Sequence, residues 1–249
     1  MAGKIVFTMD VSIQVEKSRF PGYNTTMTKY LFAPGCALII YKPHLAEKIH
    51  TFLKSHYGTV ELLLTCCRHT PRIPPDTQVI NICPGCDRRY RENYNRPLTI
   101  SLWELLLEND SFVFPDYKSR EMTIIDACPT RDQDRVHDAV RALADKMNIS
   151  IVEPAKTRRK STCCGDTFYG KLPTEQVIGL MRAKADEMPV EDIIVYCVSC
   201  SKSMFIGGKR PRYLVDLLFG EHTVPKTYDP DQWHKELDEF IETHQDSET

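Results

Sequence analysis

The arrangement of cysteine constrains this chain more than any other feature. Its ten cysteines form two sets of five, and both sets have the same order: a single cysteine, an adjacent pair and a Cys-x-x-Cys. Five thiolates exceed the four that one tetrahedral zinc ion takes. Soft thiolate groups select zinc, copper(I) or iron–sulfur clusters, and the surplus ligand favours a multi-iron cluster. The first set is Cys36, Cys66, Cys67, Cys83 and Cys86, and the second is Cys128, Cys163, Cys164, Cys197 and Cys200.

The composition is that of a globular protein without a membrane or nucleic-acid partner. The formal net charge is −2, which gives no general attraction to nucleic acid. No run of about 18 apolar residues predicts a membrane span, and the N-terminal apolar run is too short for a signal peptide. We therefore expect a cytoplasmic protein. In that compartment clustered cysteines are more often metal ligands or catalytic groups than disulfides.

The repeat extends beyond the cysteines. Arg96-Pro97 follows the first Cys-x-x-Cys at the same distance at which Arg210-Pro211 follows the second, and a Leu-rich segment comes next in both cases. Matching ligands and flanks indicate that one unit of roughly a hundred residues has been duplicated. We assign residues 1–118 to the first unit with an N-terminal extension, 119–224 to the second unit, and 225–249 to a C-terminal helix and tail.

Each unit alternates strand and helix signals, which predicts an α/β fold with a mainly parallel sheet. Several predicted strands end immediately before a cysteine. Open α/β sheets bind ligands at the carboxyl ends of their strands, so thiols that are distant in sequence are expected to converge there. The predicted strands are 60–65, 78–82, 122–126, 149–152 and 193–196, and the predicted helices are 45–56, 136–147 and 173–188.

The two ends of the chain lie outside the repeat. Residues 1–30 show no regular pattern. The segment 227–249 carries apolar residues at helical spacing, which predicts a helix. We expect this helix either to pack on its own domain or to dock a partner. Its apolar residues are Trp233, Leu237, Phe240 and Ile241.

Over about residues 32–220 the chain resembles the cysteine-rich CCG domain, which occurs twice in one of the subunits of heterodisulfide reductase. The first set departs from the family pattern in two ways. Arg68 stands where the family has glycine, and the gap between Cys67 and Cys83 is about half the usual length, so the first unit is expected to lack a counterpart of helix 173–188. The matching segments are Pro34-Gly35-Cys36, Asp126-Ala127-Cys128-Pro129, Cys163-Cys164-Gly165 and the two Cys-x-x-Cys motifs.

This resemblance implies two Rossmann-like CCG units related by pseudo-two-fold symmetry. It also implies two [4Fe-4S] clusters of the noncubane type, one on each five-cysteine set, with zinc in one site as a further possibility. In the family, paired clusters cleave a disulfide in one-electron steps. The chain would then be an iron–sulfur oxidoreductase that reduces or forms a disulfide or a related sulfur compound. One alternative is a non-catalytic electron-transfer subunit of a dehydrogenase complex. Another is a structural zinc protein, or a carrier or sensor of clusters.

Many cations lie near the cysteines. They suit either recognition of a small anionic thiol or disulfide substrate, or compensation of cluster charge. Arg68 and His69 follow the first cysteine pair and are candidates to bind an anionic group and to protonate a released thiolate. The shortened first set is expected to be the more accessible one. The cations considered are Arg68, Arg88, Arg89, Arg91, Arg158, Arg159, Lys160, Lys202, Lys209 and Arg210.

The chain has no flavin or dinucleotide motif and no ferredoxin-type run of cysteines. Electrons are therefore expected from a separate donor, such as a ferredoxin-like protein or a flavoprotein subunit.

Overall fold

Two parallel sheets of four strands form the framework of this α/β protein. The computed structural model describes residues 29–68, 70–94, 98–225 and 229–244. The strands are β1 (Lys29–Ala33), β2 (Val60–Leu62), β3 (Thr77–Asn81), β4 (Leu98–Ser101), β5 (Arg120–Ile125), β6 (Ile149–Ile151), β7 (Asp192–Val195) and β8 (Arg210–Tyr213). The first sheet has the order β2-β1-β3-β4 and the second β6-β5-β7-β8. Corresponding strands therefore occupy corresponding places, as expected for two similar α/β units.

The helices begin at residues suited to helix starts. Pro43 and Pro84 occupy first positions, where the fixed φ of proline favours a helix. A capping box starts another helix: the Ser101 hydroxyl accepts from the Trp103 N–H, and the Glu104 carboxylate accepts from the Ser101 N–H. The helices are α1 (Cys36–Tyr41), α2 (Pro43–Tyr57), α3 (Pro84–Asn93), α4 (Leu102–Leu107), α5 (Asp134–Lys146), α6 (Thr174–Asp186), α7 (Val198–Ile206), α8 (Leu214–Leu218) and α9 (Pro230–His244). Within the described ranges, none has the length and apolar content needed to cross a bilayer.

The two sheets share one hydrophobic core. Ile80 in β3 and Ile194 in β7 are fully buried and belong to the same cluster of packed side chains. Helices cover both faces of a parallel sheet, so its inner strands are apolar throughout. Because one core extends across both units, the carboxyl edges of the two sheets are held in a fixed relation.

Contacts between the units fall at corresponding places. Helix α1, which begins at Cys36, packs against α7, and α3 packs against the short 3₁₀ turn Cys128–Thr130. Helix α4 packs against α5. Each unit thus places the helix of its Cys-x-x-Cys beside the single cysteine of the other.

Most predicted elements are present, and the differences have physical causes. The segment expected to be irregular up to residue 30 contains the start of β1 at Lys29, whereas residues 1–28 lie outside the described part. Strand β8, which starts at Arg210-Pro211, escapes sequence analysis because its sequence is polar and proline is unusual in strands. The matching Arg96-Pro97 lies outside the described residues. Between β2 and β3 the described residues contain no helix, as the shortened gap predicts.

Candidate metal centres

The cysteines lie at the carboxyl edge of the two sheets. Cys36 follows β1 and opens α1, while Cys128 follows β5. Cys83 and Cys197 are the N-cap residues of α3 and α7. All ten side chains are free thiols. The parallel strands therefore collect the cysteines as the sequence predicts.

The five thiols of the first set are neighbours that lie close together in pairs. Cys36 lies near Cys67, and Cys67 near Cys66, since Cys67 raises the pKa of both neighbouring thiols. The Sγ atoms of Cys66 and Cys86 lie 3.1 Å apart, and Cys86 contacts Cys83. All five thiols that the sequence groups together are thus in one place.

The second set is arranged in the same way. Cys128 lies near Cys163, Cys163 near Cys164, Cys164 near Cys200, and Cys200 near Cys197, since in each pair one thiol shifts the pKa of the other.

The two adjacent pairs exchange roles between the sets. In the first set the second cysteine of the pair, Cys67, contacts the single cysteine; in the second set it is the first, Cys163. The other members, Cys66 and Cys164, are buried against the Cys-x-x-Cys. Cys67 therefore corresponds in position to Cys163, and Cys66 to Cys164.

The residue after each pair has a left-handed backbone, with φ of 64° at Arg68 and 105° at Gly165. A Cβ at position 165 would lie 2.9 Å from Cγ of Met181 in α6, so glycine is needed there. The first unit has no described helix at the corresponding point of the chain, which accommodates the arginine side chain.

Hydrogen bonds between the thiols favour one thiolate in each set. Bonds from Cys128 and Cys164 lower the pKa of the Cys163 thiol, assisted by the Thr167 hydroxyl at 2.9 Å. A bond from Cys86 lowers the pKa of Cys83 although burial opposes this. Thiolates rather than thiols bind metals, so each set contains a cysteine prepared for that role.

A buried network fixes the turn that carries Cys128. The carboxylate of Asp126 accepts two hydrogen bonds from Arg141, at 3.0 and 2.9 Å, and one from the Arg158 N–H at 2.6 Å. Burial raises the pKa of this carboxyl, but the Arg141 bonds outweigh burial and hold the pKa below its usual value. The Tyr196 hydroxyl accepts from the Ala127 N–H at 2.9 Å.

The two cysteine sets meet at a small cavity of about 50 Å³. Cys83 and Cys197 line it together with Tyr196 and Tyr213. Burial raises the pKa of Tyr213, and the Cys83 and Cys197 thiols add to this effect. The two candidate centres are therefore neighbours, and two tyrosine side chains line the cavity at which they meet.

Two larger cavities open onto the second set. One of about 460 Å³ reaches Cys128, and one of about 360 Å³ reaches Cys163. Arg131 lines both of them. Sequence analysis does not single out Arg131. Its position three residues after Cys128 could have indicated that it lies near the second set. Residue 69, close to the first cysteine pair, lies outside the described residues. The expectation that the first set is the more accessible one, and the role expected of His69, therefore stay predictions.

Several predicted cations are already paired with carboxylates. Arg68 pairs with Asp238 and lies 3.9 Å from Glu242, both in α9. Arg158 pairs with Asp138 at 2.6 Å. Pairing of this kind is the ordinary state of surface charges. Arg159 and Lys209 also have carboxylate partners, Asp134 and Glu191.

The C-terminal helix α9 packs on its own chain and contacts the loops of both cysteine sets. Trp233 is buried, and its Nε1 donates to the Ser199 hydroxyl inside the second Cys-x-x-Cys at 3.3 Å. His234 hydrogen-bonds with Asp166, just after the second cysteine pair, at 3.1 Å. Arg68 ties the same helix to the first set. Of the two expected roles of this helix, the structure thus shows packing on its own chain.

The donor set fits a thiolate-bound metal group. Each set of thiols contains five sulfur donors, which suits zinc, copper(I) or iron–sulfur chemistry. In the described part of the chain, no three Cys, His, Asp or Glu side chains stand together as ligands of one metal ion. The thiols are joined pairwise instead, so the geometry does not single out a mononuclear site.

No family model matches this chain, and no curated protein matches its sequence. The resemblance to the CCG domain therefore rests on the cysteine pattern.

Proposed function

We propose that this protein is an iron–sulfur oxidoreductase of the heterodisulfide reductase type, with one noncubane [4Fe-4S] cluster on each cysteine set. The observation that carries the proposal is that five neighbouring thiols lie at the same edge of each of two sheets with the same strand order. A surplus of thiols over four is hard to explain by one structural zinc ion per set. Paired clusters would supply the two electrons that cleavage of a disulfide requires.

The two units are proposed to be duplicated CCG units related by a pseudo-two-fold axis. The acidic residues of the matching Leu-rich segments support this. Glu104 in α4 reaches Arg135 of the second unit at 3.4 Å, and Asp216 in α8 reaches Lys42 of the first unit at 2.6 Å. The two acidic residues hold matching places in their units, and each contacts a cation near the start of a helix in the other unit, which is consistent with a two-fold axis.

In this proposal the residues of the chain would bind a sulfur compound, orient a cysteine ligand and shield the two centres. The cavities at Cys128 and Cys163 give a small sulfur compound access to the second set. The buried Asp126 network holds the Cys128 turn in place. Helix α9 covers loops of both sets. A separate cytoplasmic electron donor, ferredoxin-like or flavoprotein, completes the proposal.

One observation favours the second candidate, a non-catalytic electron-transfer subunit. The cavity between the two sets, about 50 Å³, is far below the volume of about 300 Å³ or more that small-molecule sites have. An organic disulfide therefore does not fit between the sets as they stand. The larger cavities on the outer side of the second set support the catalytic candidate instead.

Disulfide reduction by the anaerobically purified protein tests the choice. Protein reduced with dithionite and freed of excess reductant should convert a small anionic disulfide into two thiols, taking up two electrons and two protons. Thiol release should match the electrons lost from the protein, and Cys164→Ser should abolish it. Reduced protein that passes electrons to a redox dye but releases no thiol from any disulfide would favour the electron-transfer subunit.

A further inference from the structure

The cavity beside Cys128 is built by both units and carries a net positive charge. Helix α3 of the first unit forms one wall, and the turn that follows β5 forms the other. The cavity has a volume of about 460 Å³, which is within the range of small-molecule sites. Four arginines and two carboxylates line it, and three of the arginines have carboxylate partners. Among the described residues Arg131 has no carboxylate partner, so it is the arginine available to an anion. The charged lining residues are Arg88, Arg91, Arg131, Arg159, Glu92 and Asp132.

Arg91 joins the two walls. Its Nε donates to Asp87 at 2.9 Å within α3, while its two terminal nitrogens donate to Asp132 at 3.0 Å and to the Pro129 carbonyl oxygen at 3.3 Å. The guanidinium is therefore a structural clamp between α3 and the Cys128 turn. Because Arg91 already donates to three acceptors, we do not assign anion binding to it.

Arg131 is held in place from one side only. It donates to the Ser161 carbonyl oxygen at 3.1 Å, and the buried Ser161 hydroxyl in turn donates to the Asp126 carbonyl oxygen at 2.8 Å. A guanidinium has five N–H donors in a planar fork that matches an oxyanion. Arg131 also lines the cavity that reaches Cys163, so it stands between both approaches to the second set.

We propose that Arg131 forms an anion subsite that binds the carboxylate, sulfonate or phosphate group of a small thiol or disulfide at the second cysteine set. The part that concerns sulfur rests on the proposed function. The anion subsite itself rests on the cavity. This assignment moves anion recognition away from Arg68, whose guanidinium pairs with Asp238 of α9.

Binding of matched thiols to the anaerobically purified protein tests the subsite. Calorimetry should show 3-mercaptopropionate binding about 10- to 100-fold more tightly than its neutral analogue 3-mercaptopropanamide, the difference that a hydrogen bond to a charged group makes. Arg131→Ala should remove this preference, and Arg131→Lys should keep part of it because lysine retains the charge without the fork. The control is Arg210→Ala. Arg210 is exposed and lies at the opposite end of the second sheet, and its partner Asp192 would still pair with Arg120 and Arg212 in this variant.

Each outcome decides one of the two ideas. An Arg131→Ala variant that keeps the full preference for the anionic thiol overturns the subsite, as does an equal loss in Arg210→Ala or the absence of any binding. Propionate, which lacks sulfur, separates the subsite from the proposed function. If propionate binds in an Arg131-dependent way while no thiol changes the cluster spectrum, the subsite stands and the disulfide chemistry falls.

Discussion

At the scale of single residues, the position after each cysteine pair explains how the two sets differ. Arg68 and Gly165 share a left-handed backbone, but only Gly165 lies under a helix, with Met181 in the way of any Cβ. A side chain at position 165 would meet both the cost of a left-handed backbone and a steric clash.

We therefore expect Gly165→Ala to destabilise the protein by about 2–4 kcal/mol. Arg68→Gly is the matched change at the corresponding position, and it removes only an exposed ion pair, so its effect on the free energy of unfolding should be much smaller. Denaturant unfolding of the anaerobic proteins measures both values. Equal destabilisation by the two changes would contradict the explanation.

The sequence predicts which cysteines come together but not how they pair. Their grouping follows from spacing and from strands that end at cysteines, both of which are local signals. The exchange of roles between Cys67 and Cys163 depends on how each loop packs, which no local pattern contains. Arg131 is missed for the same reason, because its cavity is completed by α3 of the other unit.

At the scale of elements, α9 connects the two cysteine sets. Its buried Trp233 contacts Ser199, and the Lys202 ammonium lies 4.3 Å from the centre of the indole ring. The apolar spacing in the sequence predicts this helix and its buried side. It cannot predict the surface that the helix covers, because that surface comes from loops far away in the sequence.

Trp233→Ala should destabilise the protein by about 3–5 kcal/mol, the usual range for a buried tryptophan. It should also speed the loss of iron in air, since α9 covers loops of both sets. Lys235→Ala changes an exposed residue of the same helix and should change neither property. The measurements are thermal unfolding and the decay of cluster absorbance. Wild-type decay in Trp233→Ala would show that α9 does not shield the centres.

At the scale of the whole molecule, reciprocal contacts hold the two units together, but the two contacts differ in burial. Asp216 is fully buried, and it accepts from Lys42 at 2.6 Å and from the Tyr41 hydroxyl at 2.7 Å. The Glu104–Arg135 pair has an exposed arginine. Duplication can be predicted from the matching Leu-rich segments, whereas this asymmetry arises only when the units pack.

Lys42→Met should destabilise the protein by about 3 kcal/mol at neutral pH, because it leaves a buried carboxylate without its counter-charge. Burial raises the pKa of Asp216 and the Lys42 bond opposes this, so removing Lys42 raises the pKa further. When a carboxyl has a higher pKa in the folded than in the unfolded state, the free energy of unfolding of the protein falls as the pH rises through that range. The destabilisation should therefore be smaller at an acidic pH than at pH 7.

Arg135→Ala serves as the control and should cost at most about 1 kcal/mol at either pH, because its ion pair is exposed. Denaturant unfolding at the two pH values measures both variants. A Lys42→Met effect that does not depend on pH would mean that Asp216 is not the group left unpaired.

Metal and sulfide analysis of the anaerobically purified protein tests the central claim most directly. The account predicts about eight iron atoms per chain with matching acid-labile sulfide if both centres are [4Fe-4S] clusters. Cys67→Ser and Cys164→Ser should each remove about half of the iron and leave the other centre intact. Stoichiometric zinc without acid-labile sulfide, or iron content unchanged in both variants, would contradict it.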